Sequence, residues 1–82
     1  MHNVIETDYD HEYFSNYPYA VEIFVGDTCE DTYRTNNLSH AQAKFDSWTS
    51  DLQGERNVEV KMFKYNTKEY GHEEINYQGE II

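Results

Sequence analysis

Between Leu38 and Leu52 the residues Ala41, Phe45, Trp48 and Leu52 recur at i, i+4, i+7 and i+11, with Ser, His, Gln, Lys, Asp and Thr filling the positions between them. This is one apolar stripe on a helix whose remaining circumference expects water. Asn37 or Ser39 can cap its first turn by accepting an amide hydrogen bond, and Gly54 can take the left-handed conformation that ends it. Alternating runs flank the helix on both sides. Tyr19, Val21, Ile23 and Val25 precede it, and Val58, Val60 and Met62 alternate with Glu59, Lys61 and Phe63 after it, the period of strands with one buried face. Gly26-Asp27 suits a two-residue hairpin turn into Thr28–Arg34, and Asn66–His72 suits a loop into a last strand near Glu74–Gln78 with Ile75 and Tyr77 inward. The order predicts an α+β fold: an antiparallel sheet of three to four strands with one helix packed on one face.

A chain of 82 residues has room for a single small core. That core is expected in a domain spanning 18–82, with Trp48 its largest contributor, preceded by an acidic, tyrosine-rich arm at 1–17 and jointed at Pro18. One helix covers only one sheet face. Phe24, Phe63 and Tyr65 alternate onto the other, as an aromatic patch open to another molecule or a second copy, unless Val4, Ile5, Tyr9, Tyr13, Phe14 and Tyr17 of the arm fold over it.

The formal charge of −10 is unevenly placed. Residues 1–33 hold the eight carboxylates Glu6, Asp8, Asp10, Glu12, Glu22, Asp27, Glu30 and Asp31 and no Lys or Arg, whereas all six cations lie between Arg34 and Lys68. Residues 69–82 add Glu69, Glu73, Glu74 and Glu80. Phosphate repulsion disfavours direct nucleic-acid binding, and the cations are interleaved with acids instead of forming a stripe. Repulsion from anionic headgroups disfavours membrane attachment, and no apolar run is long enough to span a bilayer. The N-terminus lacks the regions of a signal peptide and Cys29 is the only cysteine, so no intrachain disulfide forms and the expected location is cytoplasmic.

No motif for catalysis is present: there is no GxGxxG, P-loop or HExxH, and Cys29 has no glycine elbow to accompany it. The chain is read as non-enzymatic, with no cofactor. Asp8, Asp10, His11 and Glu12 offer ligand atoms within five residues but lack the central glycine of a calcium loop, and Cys29, His2, His11, His40 and His72 fit no zinc spacing, so no metal is expected. In an extended segment Glu6, Asp8, Asp10 and Glu12 would project from one side at about 6.5–7 Å intervals, comparable to successive phosphates. In a helix Glu6/Asp10 and Asp8/Glu12 would instead become i,i+4 like-charge pairs. The alternative for the whole segment is a solvated acidic tail.

Five of the eight tyrosines, Tyr9, Tyr13, Tyr17, Tyr19 and Tyr33, sit within the anionic block. Tyrosine among carboxylates suits Arg and Lys through salt bridges and cation–π contacts, although Tyr19 and Tyr77 are expected in the core. In size, charge and its Tyr/Asp/Glu surface the chain resembles the small acidic phage-encoded inhibitors, the anti-CRISPR and DNA-mimic proteins. That resemblance implies a stoichiometric blocker whose carboxylates substitute for phosphates in a basic nucleic-acid-binding host protein such as a CRISPR effector, restriction enzyme or repair enzyme. The expected partner-binding residues are Glu6, Asp8, Tyr9, Asp10, Glu12, Tyr13, Asp27, Glu30, Asp31, Tyr33, Glu69, Tyr70, Glu73 and Glu74. The alternative is a structural or assembly module, a homodimer formed through the Phe24/Phe63/Tyr65 face or a strand edge.

Overall fold

A computed structural model describes residues 8–82, with side chains from Asp10 onward. Six elements follow one another: α1 (Asp8–Asn16), β1 (Tyr19–Val25), β2 (Thr28–Thr35), α2 (Leu38–Asp51), β3 (Val58–Asn66) and β4 (Gly71–Ile75). The strands form one antiparallel sheet in the order β2-β1-β3-β4, the α+β architecture that the periodicities predict.

Helix α2 begins where expected. Asn37 is extended, and its Oδ1 accepts from the amides of Ser39 at 2.8 Å and His40 at 3.3 Å, so two otherwise unpaired first-turn donors are satisfied. Ala41 is fully buried, and its small side chain lets α2 approach Val21, Met62 and Ile75. Tyr19, Tyr33, Leu38, Phe45, Trp48 and Val60 ring these four. Trp48 is therefore a half-buried rim residue, and the most deeply buried large side chains are Met62 and Val21. Gly54 does adopt a left-handed φ of 88°, but it lies in the turn beyond the helix cap, which is Leu52.

Gly26, at φ 63°, and Asp27 make the two-residue turn between β1 and β2. The register then shifts: Phe24 faces Cys29 and Ile23 faces Asp31, so Glu30 is an extra residue bulged from the edge strand. At the other end the last strand differs from expectation, running over Gly71–Ile75 instead of Glu74–Gln78. Asn76 is the reason, because its Oδ1 accepts from the amides of Gln78 and Glu80 at 3.0 and 2.9 Å and bends the chain out of the sheet. Ile81 then pairs back with Ile75, which covers the outer edge of β4. Tyr77 is expelled from the expected inward position. It lies exposed on α2, with its hydroxyl donating to Asp46 Oδ2 at 2.7 Å and its carbonyl accepting from Gln42 Nε2 at 2.8 Å.

The N-terminal segment departs most from the sequence reading. Asp8–Asn16 is helical, so Asp8, Asp10 and Glu12 do not form a one-sided extended comb; Asp8 and Glu12 are i,i+4 neighbours, and Glu6 lies outside the described residues. Phe14 and His11 of α1 meet Tyr65, His72 and Arg34. Strand alternation places those three on the face away from Val21 and Met62. Of the two alternatives for this face, the one in which the arm folds over it holds at Tyr65, which Phe14 helps to cover and which is only 2% exposed. The joint at Pro18 is fixed as well: its carbonyl accepts from the Tyr65 amide at 2.8 Å, and the Tyr17 carbonyl accepts from Arg34 Nε at 3.0 Å.

Candidate acidic interface

The cations explain the surface. Four of the six lie over aromatic rings: Arg34 at 4.3 Å from the Phe14 centroid, Lys44 at 4.9 and 5.2 Å from Tyr33 and Trp48, Lys61 at 5.5 Å from Phe24, and Lys64 at 5.7 Å from Tyr19. Register also sets Lys61 beside Glu22 and Lys64 beside Glu73. The charges of Lys61 and Lys64 are thus set against rings and matched across strands. Strand β1 separates the lysines of β3 from the edge strand β2. The edge carboxylates have no cationic strand next to them.

Among the exposed acids, two groups contain residues that the sequence assigns to partner binding; Asp46, Asp51, Glu55, Glu59 and Glu80 are exposed as well. Asp27, in the hairpin turn, and Glu30 and Asp31, on β2, are all exposed. The bulge leaves Glu30 without a cross-strand partner on β1. Asp31 is ordered by its own strand, its Oδ1 accepting from the Thr32 amide at 2.8 Å. The second group lies toward the other end of the sheet, where the β3–β4 hairpin is about 26 Å from the β1–β2 turn by the strand rise along β3. Glu74, level with Phe63, is only about 10 Å along the strands from Asp31, level with Val60. This group comprises exposed Glu12 and Tyr13 on α1, exposed Glu69 and Tyr70 in the β3–β4 hairpin, and exposed Glu74 on β4, whereas Asp10 is half-buried and engaged in a contact. Tyr70 stacks on His11 with centroids 4.1 Å apart, which ties the hairpin to α1.

Two expected surface residues belong elsewhere. Tyr33 is half-buried under Lys44 against the core, and Glu73 is half-buried with one oxygen accepting from Asn66 Nδ2 at 3.3 Å. The Asp8 and Tyr9 side chains and Glu6 lie outside the described residues.

Sequence reasoning missed the polar layer beneath α1. His11 Nδ1 and Tyr65 Oη are 2.8 Å apart, and Arg34 Nη1 donates to His72 Nε2 at 3.0 Å. A guanidinium has no acceptor, so in this contact His72 Nε2 is the acceptor. The only sequence signal was Arg34 as the first cation in the chain, placed by alternation opposite Tyr33 and Thr35.

Phe24 and Phe63 remain on the part of this face beyond α1, half-buried, with centroids 6.3 Å apart and edge to face. Among the described residues, no three His, Cys, Asp or Glu side chains are grouped to hold a metal ion, and no helix is long and apolar enough to cross a membrane. Compared with protein families, curated proteins and solved structures, the chain matches none.

Proposed function

We propose that this chain is a non-enzymatic protein-binding inhibitor whose acidic surface occupies the basic nucleic-acid-binding site of another protein, of the kind found in CRISPR effectors, restriction enzymes and repair enzymes. The observation that carries this reading is the disposition of charge: four of the six cations lie against aromatic rings while Glu12, Asp27, Glu30, Asp31, Glu69 and Glu74 are exposed. Arg34, Lys44 and Lys61 are half-buried, while Arg56, Lys64 and Lys68 stay exposed, so the acids outnumber the cations at the surface. The β1–β2 turn and the β3–β4 hairpin are separated by a distance that a basic nucleic-acid channel spans over several phosphates, and tyrosines stand in the second group to stack on arginine.

Affinity capture from a bacterial lysate at about 50 and 200 mM salt tests this. The wild-type chain should retain a nucleic-acid-binding enzyme at the lower salt, lose most of it at the higher, and release it to added duplex DNA. An Asp27→Lys, Glu30→Lys, Asp31→Lys variant, changed only at exposed positions, should retain little of it. Equal retention by that variant at both salts would remove the basis for the proposal.

A further inference from the structure

Strand β3 has nine residues and β4 only five, and β4 pairs with Met62–Asn66 alone. The start of β3 therefore has β1 on one side and no strand on the other among the described residues. The C-terminal half of α2 passes over this gap. The result is a groove of about 510 Å3 floored by Phe45, Leu52, Val58 and Val60, a size within the roughly 300–1,000 Å3 range of side-chain and small-ligand pockets. Its rim is acidic. Asp46 and Glu55 stand at the mouth, and Asp46 is held in place by the Tyr77 hydroxyl at 2.7 Å. The carbonyl end of α2, the negative end of its dipole, opens beside it with no basic residue in the last turn. The amides of Leu52, Gln53 and Glu55 satisfy the carbonyls of Trp48, Ser50 and Leu52, which leaves Thr49 and Asp51 outside that set of bonds. Arg56, the nearest cation in sequence, is exposed and does not line the groove.

We infer that this groove receives an arginine side chain from a basic protein partner, its methylene stem lying on Phe45, Leu52 and Val58 and its guanidinium meeting Asp46, Glu55 and the end of α2. Charge complementarity selects this occupant: the floor takes an apolar stem, and every charged group at the mouth is negative. A planar fork with five donors matches carboxylates and helix carbonyls better than an ammonium does. Arginine is one of the three residue types enriched at the hot spots of protein interfaces. A second copy of the chain is a poor occupant, because it would bring acid against acid. The inference rests on the inhibitor reading for the identity of the partner, but the site binds arginine whether or not that reading holds.

The test is an NMR titration of the 15N-labelled chain with acetyl-Leu-Arg-amide, and with the neutral isostere acetyl-Leu-citrulline-amide as control. Amides of residues 49–55 and 58–60 should shift and saturate with the arginine peptide. The exposed-site variant Glu55→Gln should bind about fivefold more weakly, the weight of one ion pair at its upper surface value, and the citrulline peptide, which loses the pairs to both Asp46 and Glu55, about 25-fold more weakly. Asp27→Asn, Glu30→Gln, Asp31→Asn should leave the titration unchanged. Absence of shifts, equal binding of both peptides, shifts confined to the β1–β2 hairpin or α1, or filling of the groove by a second copy with rising protein concentration would each overturn the inference. None of these results touches the inhibitor reading, which the lysate capture decides on the hairpin acids.

Discussion

Truncating Phe14 to Ala separates the two layers that cover the sheet. Phe14 is half-buried and joins three partners: the Arg34 guanidinium at 4.3 Å, Tyr65 at 5.3 Å and His72 at 4.9 Å between ring centroids. Removing a fully buried phenylalanine costs about 3–5 kcal/mol, so this half-buried ring should contribute about 2–3 kcal/mol. A nine-residue helix has no stability of its own in water, and once this anchor is lost α1 should both leave the sheet and unwind. Hydrogen exchange reads the effect directly. Amides of residues 12–17 should exchange about 30- to 150-fold faster, the factor equivalent to that energy, while amides of residues 41–48 in α2 change little. Trp48 packs on the opposite face, so its fluorescence should stay as in the wild type. If α2 amides accelerate by the same factor and Trp48 emission shifts, the chain unfolds as one unit and the layered reasoning fails. If residues 12–17 are unaffected, Phe14 is not the anchor.

Three further outcomes are expected. Asn37→Ala removes the cap that holds the Ser39 and His40 amides and should cost about 1 kcal/mol, seen as a fall of about 4–8 °C in melting temperature. Ser15→Ala should be neutral or slightly stabilising, because the Ser15 hydroxyl is buried with no hydrogen-bond partner among the described residues; a clear drop in melting temperature would show that it has one. The hydrogen bond to Asp46, then desolvation and the Asp46 charge, raise the pKa of the Tyr77 hydroxyl above its ordinary 10.0. The protonated hydroxyl is the form favoured by the fold, so this contact contributes fully below pH 10 and is lost as pH rises through the raised value. A spectroscopic tyrosinate titration should show the most alkaline component disappearing in Tyr77→Phe.

The sequence made α2, β1 and β3 legible because their signals are local: a helical stripe anchored on Ala41 and Phe45, and two clean alternations. It misjudged β4 because Ile75-Asn76-Tyr77 alternates like a strand, while the Asn76 side chain intercepts the amides that a strand would use. Helix α1 was not legible. Its like charges disfavour isolated helix, and the contacts that stabilise it, to Tyr65, His72 and Arg34, come from strands far along the chain. The same distance hid the surface logic. That Lys61 lies over Phe24 and Lys64 over Tyr19 follows from a β1–β3 register no local pattern encodes, so the acids could be counted but not their freedom from the cations. The groove beside α2 was hidden for a related reason, since it arises from β4 ending early.

The sheet order has a consequence for how the molecule is divided. Each outer strand belongs to a hairpin with its inner neighbour, β2 with β1 and β4 with β3, and the hairpins meet along the seven residue pairs from Tyr19–Lys64 to Val25–Val58. The covalent link between them runs through the exposed residues Gln53, Gly54, Glu55 and Arg56. A cut there breaks no strand pair, and the two pieces, if separated, would each uncover the inner strand edge that the other covers. The fold is thus a split protein awaiting a nick, whose halves would report on each other's proximity by restoring the β1–β3 seam.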